Sequence, residues 1–448
     1  MTFEQQRIKE LEEKIAILEL QIKFLIEENE RLRYPKNSNN SSIPPSKDEN
    51  RITKSNSLRI SNGKKPGGQR EHEGNTLSMT STPDEIIEHK PQYCNHCGKD
   101  LTGFKSKEEM RRQVVDIPPI IPKYIEHRIF SCECSCGHIT ESSFPLGINA
   151  PISYGNNIES VIAYLHTRQF IPFDRMREFF SDICNLPIST GTICDILNRF
   201  SEKALSAYEV IADKVKNSSV IGGDETGAKV NGKKGWFWTW QSKIATFITF
   251  SNNRGMATID ATFPDGFPQA IFIHDCWKSH FNTDAIRHQI CTSHSLRELK
   301  YFEERYKSSW ATKFKFLLYD ALKLKESLTP ADYLQSISRR TYLENVLDKL
   351  LVDVIPENMK EVLTFQKRMI KCRNYIFTFL YFPDVPPDNN ASERAIRNIK
   401  VKQKVSGQFK TTNGAQTYAI IRSITDTCIK NNQNILAAFK TIANLQPE

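Results

Sequence analysis

The fold assignment depends most on the run Pro386-Pro-Asp-Asn-Asn-Ala-Ser-Glu-Arg-Ala-Ile-Arg-Asn-Ile-Lys-Val-Lys-Gln-Lys404. The two prolines stop any preceding element and Asp388 is a favourable N-cap, so the run predicts a helix that begins here. On this helix Glu393 shares one face with three basic residues at i+4, i+7 and i+11. These are Arg397, Lys400 and Lys404. A carboxylate on a basic face suits a divalent cation held beside a polyanion, whereas a solvated helix with a Glu–Arg pair is the commoner meaning of such a charge run.

Two carboxylates upstream favour the first interpretation. Asp224 lies in the run 220–240, which predicts a strand, a hairpin turn at Asn231-Gly232 and an aromatic strand. A third strand is predicted over residues 245–250. Asp275 closes Ala270-Ile-Phe-Ile-His-Asp275, a short apolar run that is typical of a buried strand delivering a side chain to a sheet edge.

The order of these elements is that of a ribonuclease-H-like fold: three antiparallel strands, a short helix near 255–262, a fourth strand and a later helix bearing Glu. Carboxylates from the first strand, the fourth strand and the later helix converge in that fold. Paired Mg²⁺ ions need such hard oxygen ligands, and they stabilise the attacking and leaving oxygens of phosphoryl transfer. We therefore predict that Asp224, Asp275 and Glu393 are catalytic magnesium ligands in a core of residues 217–280 and 386–448. Glu225 should point to the opposite face of its strand and tolerate Gln.

Composition sets the broad class. The chain has 448 residues, enough for several domains, and its net charge of +9 suits a nucleic-acid partner. Because it has no apolar run of about 18 residues and no visible signal peptide, we expect a cytoplasmic protein without a membrane partner. Disulfides are not expected in that compartment, so the five cysteines clustered between residues 94 and 136 favour a metal.

Residues 89–147 predict a zinc-binding domain of the zinc-ribbon type. Cys94-Asn-His-Cys97-Gly is followed by Cys132-Glu-Cys134-Ser-Cys136-Gly, and four thiolates match tetrahedral Zn²⁺. Three cysteines compete for the last two positions. We favour Cys134 and Cys136, because Cys136-Gly137 repeats Cys97-Gly98 and glycine permits a tight knuckle turn. The predicted ligands of one structural zinc ion are thus Cys94, Cys97, Cys134 and Cys136, the alternative being ordinary reduced cysteines.

The N-terminal residues 1–34 carry a heptad pattern. Apolar or amide side chains occupy position a (Ile8, Ile15, Ile22, Asn29) and leucines occupy position d (Leu11, Leu18, Leu25, Leu32). Isoleucine at a, leucine at d and one Asn at a favour a parallel two-stranded coiled coil, although an amphipathic helix packed on the same chain is the alternative. Residues 35–88 are too polar to bury a core and predict a flexible linker, in which Lys64, Lys65 and Arg70 could touch phosphate.

Two further regions are predicted to be helical. Residues 148–216 show helical periodicity over 157–169, 172–183 and 189–203, and the last two segments resemble a helix-turn-helix capped by Ser189 or Thr190. This pattern is compatible with DNA recognition by Thr190, Thr192 and Asn198. It is equally compatible with a plain helical bundle packed on the core. Residues 281–385 predict a helical insertion in the core, for example over 308–328 and 331–354. His294 in this insertion could approach the active site or be structural.

Taken together, these motifs resemble transposases of the insertion-sequence-66 family over essentially the full length. The resemblance rests on the motifs Asn-Ser-Ser-Ile-Pro-Pro-Ser near Ser41, Lys-Pro-Gly-Gly-Gln near Gly67, the cysteine knuckles, Asp224-Glu-Thr-Gly, His274-Asp275 before Trp277, Cys291-x-x-His294 and Asp388–Arg397. Two departures occur. Arg70-Glu71-His72 stands where the family commonly has Pro-Gly-His, and Cys276 stands where it often has Gly.

The resemblance implies a multidomain α+β DNA transposase acting on the bacterial nucleoid, with Asp224, Asp275 and Glu393 as its DDE triad. It implies two catalytic Mg²⁺ ions, for which Mn²⁺ can substitute, and one structural Zn²⁺. Element ends and target DNA are the expected partners, contacted through Arg394, Arg397, Lys400 and Lys404. A homodimer or higher synaptic oligomer would form through the coiled coil, with accessory proteins of the element as further partners. The alternatives are a non-catalytic zinc-containing DNA-binding protein and a ribonuclease-H-like nuclease without strand joining.

Overall fold

The computed structural model describes residues 3–41, 43, 48–49, 77–145, 147–148, 150–335 and 337–445. The basic residues Lys64, Lys65 and Arg70 and the motif around Gly67 lie outside this set. The chain forms two compact units: Met1–Arg51 with Tyr124–Asp182 and Leu186–Glu448, and Ile52–Lys123 with Ile183–Asn185. Over the described parts of the chain, no helix combines the length and apolar character that a membrane span requires.

Helices dominate the described residues, and strands are fewer. The helices are α1 (Phe3–Arg33), α2 (Asn156–Thr167), α3 (Phe173–Cys184), α4 (Thr190–Lys203), α5 (Leu205–Lys216), α6 (Met256–Thr262), α7 (Lys278–Phe281), α8 (Thr292–Tyr306), α9 (Ser309–Ser327), α10 (Ser338–Val352), α11 (Lys360–Lys371), α12 (Asn390–Ser406), α13 (Thr412–Lys430) and α14 (Ile435–Ala443). The strands are β1 (Ser131–Glu133), β2 (Ile139–Glu141), β3 (Val220–Val230), β4 (Lys233–Gln241), β5 (Thr246–Ser251), β6 (Phe267–His274) and β7 (Ala285–Ile290). Short 3₁₀ turns cover Pro330–Leu334, Arg373–Tyr375 and Thr378–Leu380.

A five-stranded sheet with the order β5-β4-β3-β6-β7 forms the centre of the first unit. Strands β3, β4 and β5 are antiparallel, whereas β6 and β7 run parallel to β3. The predicted hairpin at Asn231-Gly232 is confirmed, since both residues have positive φ (46° and 74°), as a tight turn between twisted strands requires. The predicted short helix and fourth strand are also present, as α6 and β6.

Strand β7 corrects the sequence interpretation, which assigned residues 281–385 to a helical insertion. Residues Ala285–Ile290 instead pair in parallel with β6, so the helical part begins only at α8. The strand was missed because it buries polar side chains, which hides the apolar run expected of a central strand. Gln289 is fully buried and its amide nitrogen donates to the carbonyl oxygens of Ile290 (2.6 Å) and Ile376 (3.2 Å). Its side-chain oxygen accepts the N–H of Phe379 at 2.8 Å.

Helices α8 to α11 pack around an apolar cluster that continues onto the sheet. Phe302, Phe314 and Phe365 are buried in this cluster together with Ile273 of β6. The indole N–H of Trp310 donates to Leu350 O at 2.8 Å, which satisfies its one donor inside the core. Because the cluster is continuous with β6 and β7, it fixes the start of α8 beside the carboxyl end of the sheet. The helix predicted over 331–354 is split into a 3₁₀ turn and α10.

Helix α13 covers the edge strand β5. Its side chains accept from the outward amides of that strand: Ile248 N donates to Ser423 Oγ (2.9 Å) and Thr246 N to Thr427 Oγ1 (3.1 Å). A sheet edge is thereby closed by side-chain hydrogen bonds instead of another strand. Helices α2, α4, α5 and α14 pack around α13, and Asn198 of α4 accepts from Thr417 Oγ1 at 3.1 Å. Helices α2, α4 and α5 thus pack with α13 and α14, and α5 also contacts β5. DNA recognition by α4 stays a prediction.

The N-terminal helix α1 and the segment after it differ in burial: the helix is exposed, whereas part of the segment is buried. All seven apolar heptad positions of α1 are exposed, with side chains such as Leu25 at 63% of full exposure. Residues 35–41 belong to the predicted linker 35–88, but Asn40 and Ser41 are only 3% and 6% exposed. Asn40 Nδ2 donates to Glu304 Oε2 of α8 at 2.8 Å, and Lys36 pairs with Glu361 of α11 at 2.5 Å. The first residues of that segment are therefore packed against the insertion.

Candidate active site

The register of the sheet brings Asp224 and Asp275 together. Strands β3 and β6 are parallel neighbours in which Gly222 lies beside Ile273. Asp224 is two residues after Gly222, and Asp275 is two residues after Ile273 and directly follows β6. The same register therefore places the two aspartates side by side. Neighbouring strands lie about 4.8 Å apart, and residues two apart point to one face of the sheet. The two carboxylates therefore lie side by side just beyond the stretch over which β3 and β6 pair, Asp224 within β3 and Asp275 directly after β6.

Helix α12 brings Glu393 to the same place, because β3 carries glycine where the helix approaches. A Cβ on Gly222 would lie 2.6 Å from Ser392 Oγ and 2.8 Å from Asn389 Oδ1. Asn389 Nδ2 donates to Gly223 O at 2.7 Å, and Ser392 Oγ donates to Asn389 Oδ1 at 2.7 Å. These buried contacts clamp the first turn of α12, which contains Glu393, onto the strand that carries Asp224.

The predicted cap of α12 requires a small correction. The helix begins at Asn390, so Asn389 and not Asp388 occupies the N-cap position. Asp388 still satisfies a terminal amide, since its Oδ1 accepts from Asn390 N at 3.0 Å. The displacement by one residue leaves the Asn389 side chain free to bond the backbone of β3.

The electrostatics of Asp224 report the convergence of the carboxylates. Its pKa is raised well above the ordinary value, first by burial and then by the negative charges of Asp275, Glu225 and Glu393. The repulsion among these like charges is relieved when a cation lies among them. The site thus fits divalent cations bound by hard carboxylate oxygens, and Asp224, Asp275 and Glu393 are the residues that could hold them.

Asp275 has a different environment. Burial acts to raise its pKa, but the adjacent His280, together with His294 and His274, outweighs that effect and holds the pKa below the ordinary range. Asp275 Oδ1 accepts the N–H of Trp277 at 3.0 Å and lies 3.3 Å from His280 Nδ1. Asp275 is therefore kept anionic, in contrast to Asp224.

Glu393 contacts the start of α8. Its Oε1 lies 3.5 Å from a guanidinium nitrogen of Arg297 and 3.7 Å from His294 Nδ1. The ligand atoms of His294, Glu393 and Cys291 lie within 4.8 Å of one another. Burial raises the pKa of the Cys291 thiol to about 12, so the thiolate form that binds metals is disfavoured there. The alternative that His294 approaches the site is the one the structure supports.

The four predicted DNA-contacting residues of α12 fall into two groups. Arg394, Arg397 and Lys404 are exposed. Lys400 is half-buried, and its ammonium donates to Gly227 O of β3 at 2.6 Å. Lys400 thus helps to hold α12 on the sheet, while the other three are available at the surface.

Sequence reasoning missed a second layer of residues behind Asp275. His280 is fully buried, and its Nε2 lies 3.4 Å from Glu225 Oε2. The Glu225 side chain is 1% exposed and pairs with Arg254 at 2.8 Å. The guanidinium of Arg254 lies between two aromatic rings, 4.7 Å from the centre of Trp236 and 4.0 Å from that of Trp277. Glu225 is the neighbour of Asp224 in the sequence, but only tertiary contacts show that it is buried and joined to Asp275 through His280.

The two cysteine pairs belong to different compact units. At the first pair, Cys94 N donates to Lys99 O, Gly98 N donates to Cys94 O, and Gly98 has a φ of 73°. Backbone N–H groups of Cys97 and His96 lower the pKa of the Cys94 thiol. Such a turn, closed by a left-handed glycine with amides facing sulfur, has the chemistry of a zinc knuckle.

The second pair repeats this arrangement. Cys134 N donates to His138 O, Gly137 N donates to Cys134 O, and Gly137 has a φ of 84°. The backbone amide of Cys136, with the side chains of Cys136 and Ser135, lowers the pKa of the Cys134 thiol. Cys132 instead lies in the regular β1–β2 ladder opposite Thr140. The local geometry therefore favours Cys134 and Cys136 over Cys132.

Comparison with protein families assigns the chain. Residues 151–417 match the model of the Transposase IS66 family, and residues 91–137 match the zinc-finger binding domain of transposase IS66. No individual curated protein matches the chain. The structure defines a mixed helix-and-sheet protein with a cluster of half-buried carboxylates, and the family comparison adds a zinc-finger domain. The chain belongs to the IS66 family of transposases.

Proposed function

We propose that this protein is a DDE-type DNA transposase that cleaves DNA strands at the ends of an insertion sequence and joins them to target DNA. The proposal includes a ribonuclease-H-like core, formed by the five-stranded sheet, α12 and α13. Its support is the strand order, in which three antiparallel strands are followed by two that run parallel to the first. The helical insertion then lies between β7 and α12.

The observation that carries the proposal is the convergence of three carboxylates from separate elements. Asp224, Asp275 and Glu393 come from β3, the end of β6 and the first turn of α12, and the charges of the other two raise the pKa of Asp224. A structural role would not call for mutually repelling, half-buried carboxylates, because their repulsion costs free energy without a cation. Functional sites are where such costs are found.

The chemistry would be attack by water on a phosphodiester, followed by attack of the freed 3′-hydroxyl on target DNA. Bound divalent cations, Mg²⁺ or Mn²⁺, would activate the attacking oxygen and stabilise the leaving oxygen. The chain's own part is to hold the three carboxylates in place, through the β3–β6 register and the clamp of Asn389 and Ser392 on β3.

The exposed cations of α12 would position the DNA. Arg394, Arg397 and Lys404 extend from the site along the helix, where phosphates of a bound strand would meet them. The zinc-finger domain would bind one structural Zn²⁺ through Cys94, Cys97, Cys134 and Cys136. We further propose that the exposed heptad face of α1 pairs with a second copy of the chain, which would bring two active sites to a pair of element ends.

The direct test is to incubate the purified protein with Mg²⁺ and the DNA that flanks its own gene, and to map the products at nucleotide resolution. The proposal predicts cuts at defined ends and joined products with a target plasmid. Cleavage without joined products would indicate a nuclease, and specific binding without either product would indicate a non-catalytic DNA-binding protein.

A further inference from the structure

The residues behind Asp275 form a continuous series of side-chain contacts that reaches from the site to the surface. His280 is fully buried between two carboxylates: its Nδ1 lies 3.3 Å from Asp275 Oδ1 and its Nε2 lies 3.4 Å from Glu225 Oε2. The indole ring of Trp238 meets the imidazole edge-on at 5.9 Å between ring centres. The imidazole is therefore confined between the two carboxylates and the Trp238 ring.

Glu225 is itself held by an outer partner. Two nitrogens of Arg254 contact Glu225 Oε1, at 2.9 Å and 2.8 Å, which leaves Oε2 turned toward His280. Arg254 is 39% exposed, but the rings of Trp236 and Trp277 flank its guanidinium and restrict its movement. Trp277 also donates its backbone N–H to Asp275 Oδ1 at 3.0 Å, so this series of contacts both starts and ends at Asp275.

Burying these groups costs folding free energy, which favours a functional role for them. A buried carboxylate and a buried imidazole lose hydration, and neither ring nitrogen of His280 makes a well-aligned hydrogen bond within the described residues. Both inner contacts of Asp275 fall on the same oxygen, Oδ1. A carboxylate fixed through one oxygen presents the other to a cation in a defined direction, which is what partners behind a metal ligand do.

We propose that Glu225 and Arg254 are positioning residues that act through His280 to aim Asp275 at the catalytic cations. The inference rests on the proposed function, in which Asp275 is a cation ligand. It revises the expectation that Glu225 tolerates Gln because it points away from Asp224. The amide of Gln would keep the shape of Glu225, but it would lose the charge that holds both Arg254 and His280.

The test compares Glu225→Gln with a matched control, Glu159→Gln. Glu159 is also a buried, ion-paired glutamate, held by Arg199 (3.3 Å) and Lys203 (2.9 Å), but it lies in α2. The readouts are Mn²⁺ binding to the full-length protein by electron paramagnetic resonance, without DNA, and the melting temperature. We expect Glu225→Gln to weaken Mn²⁺ binding by about 10- to 100-fold, the usual effect of removing a partner behind a metal ligand. Glu159→Gln should lower the melting temperature and leave Mn²⁺ binding unchanged.

A third variant, Asp275→Asn, separates this inference from the proposed function. If Asp275→Asn binds Mn²⁺ as the wild type does, Asp275 is not a ligand and the proposed function loses its basis. If Asp275→Asn loses Mn²⁺ while Glu225→Gln binds it normally, only the positioning role is overturned. Should Glu225→Gln not fold, Arg254→Lys tests the same series of contacts from its exposed end, since lysine keeps the charge but not the two-pronged contact. Weaker Mn²⁺ binding by Arg254→Lys supports the inference, and unchanged binding overturns it.

Discussion

Replacing Gly222 by alanine should disturb the active site without touching any of the three carboxylates. The new Cβ would lie 2.6 Å from Gln241 Nε2, 2.6 Å from Ser392 Oγ and 2.8 Å from Asn389 Oδ1. These atoms cannot move away at low cost, because Ser392 and Asn389 are buried and hydrogen-bonded to each other at the start of α12, and Gln241 accepts from Lys430 at 2.7 Å. Relief requires α12 to move away from β3 and to carry Glu393 with it.

The magnitude follows from these contacts. Adding a methyl group to a packed site costs about 1–3 kcal/mol, and replacing a strand glycine by alanine returns about 0.5–1 kcal/mol of chain entropy. The free energy of unfolding should therefore fall by roughly 0 to 2.5 kcal/mol. The effect on catalysis should be larger, since a displacement of about 1 Å at a reacting group can cost on the order of 100-fold in rate.

The control lies on the same strand. A Cβ on Gly227 would lie 3.6 Å from the Trp236 ring and 3.8 Å from Lys234 Cε, which is ordinary van der Waals contact. Gly227→Ala should leave both stability and activity near the wild-type values or raise stability slightly. Urea denaturation and strand cleavage of end DNA measure the two quantities. Gly222→Ala with wild-type stability and cleavage would refute the close approach of α12 to β3 and the placement of Glu393 derived from it.

Three further predictions concern other parts of the chain. Elemental analysis should find about one Zn²⁺ per chain in the wild type and in Cys132→Ser, but none in Cys94→Ser or Cys134→Ser. Loss of zinc from Cys132→Ser and its retention in Cys134→Ser would overturn the choice of ligands. A peptide of residues 1–34 should sediment as a parallel dimer, and Asn29→Ile should tighten the association but loosen its dimer specificity; a monomer for both peptide and full-length protein would remove the coiled coil. Burial lowers the pKa of Lys402 from 10.5 to about 8, so the unfolded chain binds more protons than the folded chain between these values and stability rises with pH across that window. Lys402→Met should therefore be more stable than the wild type near pH 7, with an advantage that shrinks from pH 8 to 10.5; a difference independent of pH in denaturant titrations would contradict the burial cost.

The sequence predicted the sheet well where periodicity and turn chemistry act locally. The Asn231-Gly232 turn defines the β3–β4 hairpin by its backbone preference, and the apolar run before Asp275 marks β6. Strand β7 was not predicted from the sequence, because its buried polar residue Gln289 finds its hydrogen-bond partners Ile376 and Phe379 far along the chain. Hydrophobic patterns cannot report hydrogen bonds that form only after folding.

The same distinction holds for the site. Asp224, Asp275 and Glu393 could be picked out because each lies within or directly after a recognisable element. The clamp of Asn389 on β3 could not, since it depends on the absence of a side chain at Gly222 and on how closely a helix approaches. Likewise, nothing local to His280 indicates that it joins Glu225 to Asp275.

The central claim is that the three converging carboxylates perform metal-dependent strand cleavage and transfer. The most direct measurement is the cleavage and joining of end DNA in Mg²⁺ by Glu393→Gln, with Asp224→Asn and Asp275→Asn alongside and DNA binding measured for each. Gln keeps the shape of Glu393 but removes the charge that a cation needs, so both reactions should fall below detection while DNA binding is retained. A folded Glu393→Gln protein that cleaves and joins DNA at the wild-type rate would contradict the account.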